Sequence, residues 1–154
     1  MIFGTTAVIV VGAFAVAAAM THDDGSGSPE HTVRDFLVSA VAEHNGFQAC
    51  LYMTRGSQLA VEAGAPRDMS CEAILSTYAR LVLGSEHVNS EAAVKALTYR
   101  VEPEPDGRER VTVSAHGESR SFLLRQATQA ELGEFQAPST RWRIASGVGD
   151  LLAQ

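Results

Sequence analysis

The chain has 154 residues, a formal net charge of -6 and a pI near 5.3, a balance that excludes the basic surplus of a generic nucleic-acid binder. Hydrophobic residues make up 45% of it. Once an apolar N-terminal stretch and a tether are set aside, about 120 residues remain, enough for one domain with its own core.

Residues 2–20, IFGTTAVIVVGAFAVAAAM, carry no charged side chain and are just long enough as a helix to cross a bilayer, at about 1.5 Å per residue. An uncleaved anchor and a cleaved signal peptide both fit. Ala17, Ala18 and Ala19 offer the small residues of a cleavage site, whereas no Lys or Arg precedes Arg34 to make a basic leader. The expectation is a single-pass membrane protein with its C-terminal domain outside, with secretion after cleavage as the alternative. Residues 21–28 then form a flexible linker through Gly25, Ser26, Gly27 and Ser28.

Ser28, Pro29 and Glu30 read as a helix start: a hydroxyl cap, proline in the first turn and a carboxylate near the positive helix end. Val33, Phe36, Leu37, Ala40, Val41 and His44 recur at three- and four-residue steps, which predicts a first helix running to about His44. Asn45 and Gly46 end it. A shorter helix is expected over 47–53 with Phe47, Cys50 and Leu51 buried, a turn or two over 58–63, and a longer helix over 70–83 that Gly84 stops.

Cys50 and Cys71 are the only cysteines. In an exported domain of this size a disulfide is the expected fate, and closing a loop of about twenty residues stabilises a fold by roughly 3 kcal/mol. Neither CxxC nor HxxxH spacing is present, which leaves a zinc site poorly supported.

Past Ser90 the apolar period changes from about four to two. Leu97, Tyr99 and Val101 alternate with polar residues, and so do Val111, Val113 and Ala115 after a Pro-Glu-Pro-Asp-Gly turn. Phe122 and Leu124 mark a third strand, and Trp142 and Ile144 a fourth, reached by an excursion in which Pro138 breaks any ladder. Helices first and strands afterwards predict an α+β fold with an antiparallel sheet.

Residues 33–40, Ala49 to Thr54, Ser70-Cys71-Glu72, and Trp142-Arg143-Ile144 followed by Ser146 and Gly147 resemble the NTF2-like superfamily, cystatin-like in fold, and in particular its small secreted or membrane-anchored actinobacterial members. The resemblance covers 29–148 and leaves 149–154 as a tail. It implies helices packed in the concave face of a curved antiparallel sheet, in the order α-α-α-β-β-β-β, around a conical pocket. Catalytic members place Asp, Tyr or His in that pocket, and others use the cavity or sheet face for partners.

Phe36, Tyr52, Tyr78, Tyr99 and Trp142 are the candidate lining of such a pocket, although tyrosines of this kind are more often core residues with their tips at the surface. The histidines His22, His31, His44, His87 and His116 have no ligand spacing. His87 beside Glu86 is the nearest approach to an acid-base pair. Ser57 sits in RGSQ rather than GxSxG, and Gly147 and Gly149 lack the context of a dinucleotide loop. By strand period Arg100, Arg110, Arg125, Arg141 and Arg143 tend toward the outer sheet face. That face is read either as a dock for an anionic partner or as a solvated surface balanced by Glu102, Glu104, Asp106, Glu109 and Glu118.

The function expected is that of a binding or assembly module without catalytic activity or cofactor, engaging an envelope protein or a small apolar ligand and no nucleic acid. The alternative is a small pocket enzyme of the ketosteroid isomerase or polyketide cyclase type, which would need a buried carboxylate facing a tyrosine or histidine.

Overall fold

The computed structural model describes residues 27–66 and 68–152. The apolar segment expected to anchor the chain, residues 2–20, and most of the linker lie outside the described residues. Among those described, no helix is long and apolar enough to cross a membrane.

Helix α1, Pro29–Leu37, starts as its sequence dictates: the Ser28 side chain accepts from the His31 N–H, Pro29 occupies the first turn and Glu30 supplies the acidic charge. Its continuation is not the α-helix the spacing predicts. Val38–Ala42 form a π segment closed by the Glu43 N–H on the Val38 carbonyl at 2.9 Å. The wider turn shifts the phase of the side chains after Leu37, yet Ala40 and Val41 stay buried. Asn45 then caps α2, Gly46–Leu51, by accepting from Gln48 N–H at 3.1 Å. Phe47, expected inside, is 40% exposed.

Helix α3 spans Arg55–Gly64, longer than the turn or two expected, and α4 spans Cys71–Tyr78. The predicted run of helix to Leu83 is corrected. Ala79 adopts an extended backbone with ψ 124°, and Leu81–Leu83 (β1) pairs antiparallel with Glu86–Val88 (β2). Gly84, read as a helix stop, supplies the left-handed φ of +63° that this hairpin turn needs. A short α5, Glu91–Lys95, comes next, capped by Ser90.

Strands β3 (Thr98–Pro103), β4 (Glu109–Ala115), β5 (Glu118–Gln126) and β6 (Trp142–Ser146) form a four-stranded antiparallel sheet in sequence order. The chain is therefore α+β, with helices against a curved sheet. A register shift at Leu123/Leu124 opposite β6 marks an irregularity in the ladder. Alternation sends Val111, Val113, Phe122, Leu124 and Ile144 to one face, all fully buried. Helix α1 packs there against β3, β4 and β6, with Phe36 edge-on to Phe122 at a ring separation of 6.0 Å.

The expected disulfide is present: Cys50 on α2 joins Cys71 at the first residue of α4, with Cα atoms 6.3 Å apart. The two helices also approach closely at Gly46, where a Cβ would fall 2.0 Å from the Glu72 carbonyl oxygen. The Gly46 N–H donates to Ser76 Oγ at 2.9 Å.

The excursion before β6 holds α6, Gln129–Leu132, started by a capping box between Thr128 and Glu131. Glu131 of α6 reaches Arg125 on β5, and Thr140 at the far end of the excursion meets the Thr32 hydroxyl of α1 at 2.6 Å. The residues from Gly149 onward, expected as a tail, belong to the domain as far as they are described. Val148–Leu151 form a 3-10 turn in which Leu151 is buried and its carbonyl accepts from the Arg80 N–H at 3.0 Å.

Candidate functional site

Residues 52–54 run beside β6 rather than loose between helices. The Ile144 N–H donates to the Tyr52 carbonyl at 2.8 Å, and the Thr54 N–H to the Ile144 carbonyl at 2.9 Å. Thr54 then caps α3 by accepting from the Ser57 N–H, so α3 is launched from the sheet edge. Helix α4 is tied to α3 by a carboxylate: Glu62 Oε1 accepts the Cys71 N–H at 3.0 Å, one of the free donors at the start of α4. Gly147 turns the chain out of β6 with φ +103°. A Cβ there would sit 2.3 Å from the Ser121 carbonyl oxygen, so this corner admits only glycine.

These constraints leave a cleft of about 470 Å³ between α3, α4 and the turn after β6, within the size range of small-molecule sites. From α3 it is faced by Ser57, Ala60, Val61 and Gly64, and from α4 by Ile74 and Tyr78. Ala145, Ser146, Val148, Gly149 and Leu152 close the third side. The walls are aliphatic or small, and the polar side chains among them are the hydroxyls of Ser57, Ser146 and Tyr78. No Asp, Glu, His, Lys or Arg is among the described residues that line it. Tyr78, 45% exposed, is the one aromatic residue among the described residues that line it.

Of the five residues expected to share a pocket, Tyr78 alone faces this cleft. Phe36 is sealed in the core. Trp142 is half-buried against the core cluster. The Tyr52 hydroxyl points to Asp35 Oδ2 at 3.5 Å, and burial, reinforced by that carboxylate, pushes its pKa up to about 12. Asp35 also meets His31 Nε2 at 3.1 Å. The Tyr99 hydroxyl donates to the Val94 carbonyl at 2.8 Å, with the Arg34 guanidinium 4.9 Å above its ring. Burial raises Tyr99 to about 12, against the opposing pull of Arg34.

The arginine face is also redistributed. Arg100 pairs with Glu102 at 2.8 Å and Arg110 with Glu104 at 2.7 Å, both at the surface. Arg125 grips Glu131 with two hydrogen bonds at 2.8 and 2.9 Å, and this bidentate pairing holds the Glu131 carboxyl down to about 2. Arg141 is exposed. Arg143 is the main correction. Strand period assigns its face properly, but α6 and the excursion cover it to 1% exposure. There its guanidinium donates to the Thr140 and Trp142 carbonyls at 2.8 Å, with the Pro138 and Glu131 carbonyls at 3.4 and 3.5 Å. Burial lowers its pKa from the ordinary arginine value. It is a structural tie for the excursion and has no surface left to dock anything.

The adjacent Glu86 and His87 do not pair as acid and base: Glu86 of β2 meets Nε2 of His116, a residue of the β4–β5 turn, at 2.8 Å. Among the described residues no three His, Cys, Asp or Glu side chains gather as metal ligands. Compared with known proteins, the chain matches no family model, no curated protein and no solved structure.

Proposed function

We propose that the chain is a non-catalytic binding module of the NTF2-like kind, exported or held at a membrane by residues 2–20, whose working surface is the apolar cleft between α3 and α4. The NTF2-like assignment is supported by α1 lying on one face of a four-stranded antiparallel sheet whose strands β3–β6 come after α1–α5 in sequence, with only the short α6 set between β5 and β6. Export is supported by the disulfide, a bond that persists in oxidising compartments.

The observation that carries the reading is the lining: a cleft of about 470 Å³ walled by alanine, valine, isoleucine, glycine and three hydroxyls. Such a wall rewards apolar surface, and among its described residues there is no carboxylate, imidazole or amine to move a proton. The α3 carboxylate, Glu62, is engaged in capping α4. A small apolar ligand, rather than a reacting polar substrate, is the occupant this chemistry favours.

The test is equilibrium binding of the full chain to a panel of apolar small molecules, beside an Ala60→Trp variant that fills the cleft. Saturable binding by the parent chain and its loss in the folded variant are expected. Binding that survives Ala60→Trp, or ligand consumed with turnover, would overturn the proposal.

A further inference from the structure

Two of the glycines facing the cleft have no backbone reason to be glycine. Gly64 ends α3 and Gly149 lies in the 3-10 turn, and neither has a left-handed φ. Apart from their chain neighbours and the backbone of their own turn, no described atom lies within 4 Å of where a Cβ would stand on either one. Gly147 beside them is different, since both its φ and the Ser121 carbonyl exclude a side chain. In helical backbone glycine is a less stable choice than alanine. At Gly64 and Gly149 that cost is offset by no left-handed φ and no close backbone approach; both residues line the cleft, and the space where a Cβ would stand is open.

The walls around that space specify the occupant further. They are almost wholly aliphatic, with the half-exposed Tyr78 as the one ring available for stacking. A charged group drawn inside would lose its hydration with no counter-ion among the described lining residues.

We propose, resting on the reading of the cleft as a ligand site, that its occupant is a single-chain aliphatic amphiphile. The hydrocarbon tail lies between α3 and α4, and the headgroup stays in water outside the aliphatic walls. Gly64 and Gly149 set how long a tail is accepted. Affinity then depends on chain length and little on the charge of the head.

The experiment is a chain-length series of straight-chain alkanoates, octanoate to palmitate, and the matching alcohols, titrated against the full chain by calorimetry. Anilinonaphthalene sulfonate and a phospholipid vesicle serve as separate probes. Affinity should rise roughly fourfold per added methylene, the factor for burying one CH₂, then level off where the cleft is full. Acids and alcohols should share the same profile. In Gly64→Leu and in Gly149→Leu the plateau should move to shorter chains while octanoate still binds, a shift that a general loss of folding would not produce.

A plateau unmoved in both variants overturns the role of the glycines. Binding of the aromatic dye or of vesicles, without response to any free single chain, overturns the aliphatic assignment and leaves the cleft as a site. No binding of any probe overturns both this inference and the function proposed above.

Discussion

Replacing Cys50 and Cys71 together by alanine removes the covalent tie between α2 and α4. The bridged residues are 21 apart in sequence, and loop-closure entropy for that length amounts to about 3 kcal/mol at 25 °C. The native packing has other means of holding these helices. Gly46 sits against the Glu72 carbonyl and donates to Ser76 Oγ, and Glu62 caps the Cys71 N–H. The loss should therefore fall mainly on the unfolded ensemble, leaving the native circular dichroism unchanged. In urea the variant should lose about 3 kcal/mol with a somewhat larger m value, because its unfolded chain is free to expand. For a domain of this size that corresponds to a fall in Tm of roughly 10 to 15 °C. A loss under about 1 kcal/mol would refute the loop-closure reasoning. Free reaction of both sulfurs with a maleimide in the denatured, unreduced parent protein would refute the bridge itself.

Glu131→Gln should weaken the fold at neutral pH. Its carboxyl is held at about 2 against an ordinary 4.5, and because the folded value is the lower one, the ionised form favours folding. That contribution is complete above about pH 4.5 and disappears as the pH falls toward 2, with an upper bound near 3 kcal/mol by linkage. Arg125 is 35% exposed, so about 1 to 2 kcal/mol after screening is the expected size. Acid titration of stability should be flatter in the variant across that window, and an unchanged profile would remove Glu131 as its cause. Gly46→Ala forces a Cβ to within 2.0 Å of backbone and should cost about 2 to 3 kcal/mol in a urea melt, as overpacked cores do; a neutral result would show that α2 and α4 can separate freely. Spectrophotometric titration should find Tyr52 and Tyr99 ionising near pH 12, and ionisation of either one near 10 in the folded protein would contradict the burial described.

The frame of the fold is legible in the sequence because periodicity reports which face of an element is buried. Ser28-Pro29-Glu30 marks the start of α1, and Val111, Val113, Phe122, Leu124 and Ile144 mark the inner sheet face. The bridge is the expected fate of two cysteines if the apolar N-terminal stretch directs export. Pattern and structure part where two periods overlap. Leu81, Val82 and Leu83 continue the apolar stripe of α4, yet Ala79 turns extended and the Leu81–Val88 stretch closes a hairpin through Gly84. The Gly84-Ser85 pair between Leu83 and Glu86 is the signal for it.

Arg143 departs from its expected place for a different reason. Alternation gives a face but says nothing of what folds over it, and the cover comes from Thr128 to Thr140, an excursion without period. The cleft is hidden in the sequence because its residues are small. In GSQLAVEAGAP and ASGVG alanine and glycine carry no strong hydrophobic signal, and only the crossing of α3 with α4 and the turn at Gly147 brings them to one space. The more conspicuous aromatic residues are mostly satisfied elsewhere, by the Val94 carbonyl for Tyr99 and by Asp35 for Tyr52.

The central claim is that the space between α3, α4 and the turn after β6 is the binding surface. Backbone amide NMR of the ¹⁵N-labelled full chain during titration with dodecanoate tests it directly. Saturable shifts centred on Ser57 to Gly64, Ile74 to Tyr78 and Ser146 to Leu152 are expected. Shifts centred on Arg100, Arg110 and Arg141, or confined to the buried face around Phe36 and Phe122, would contradict it.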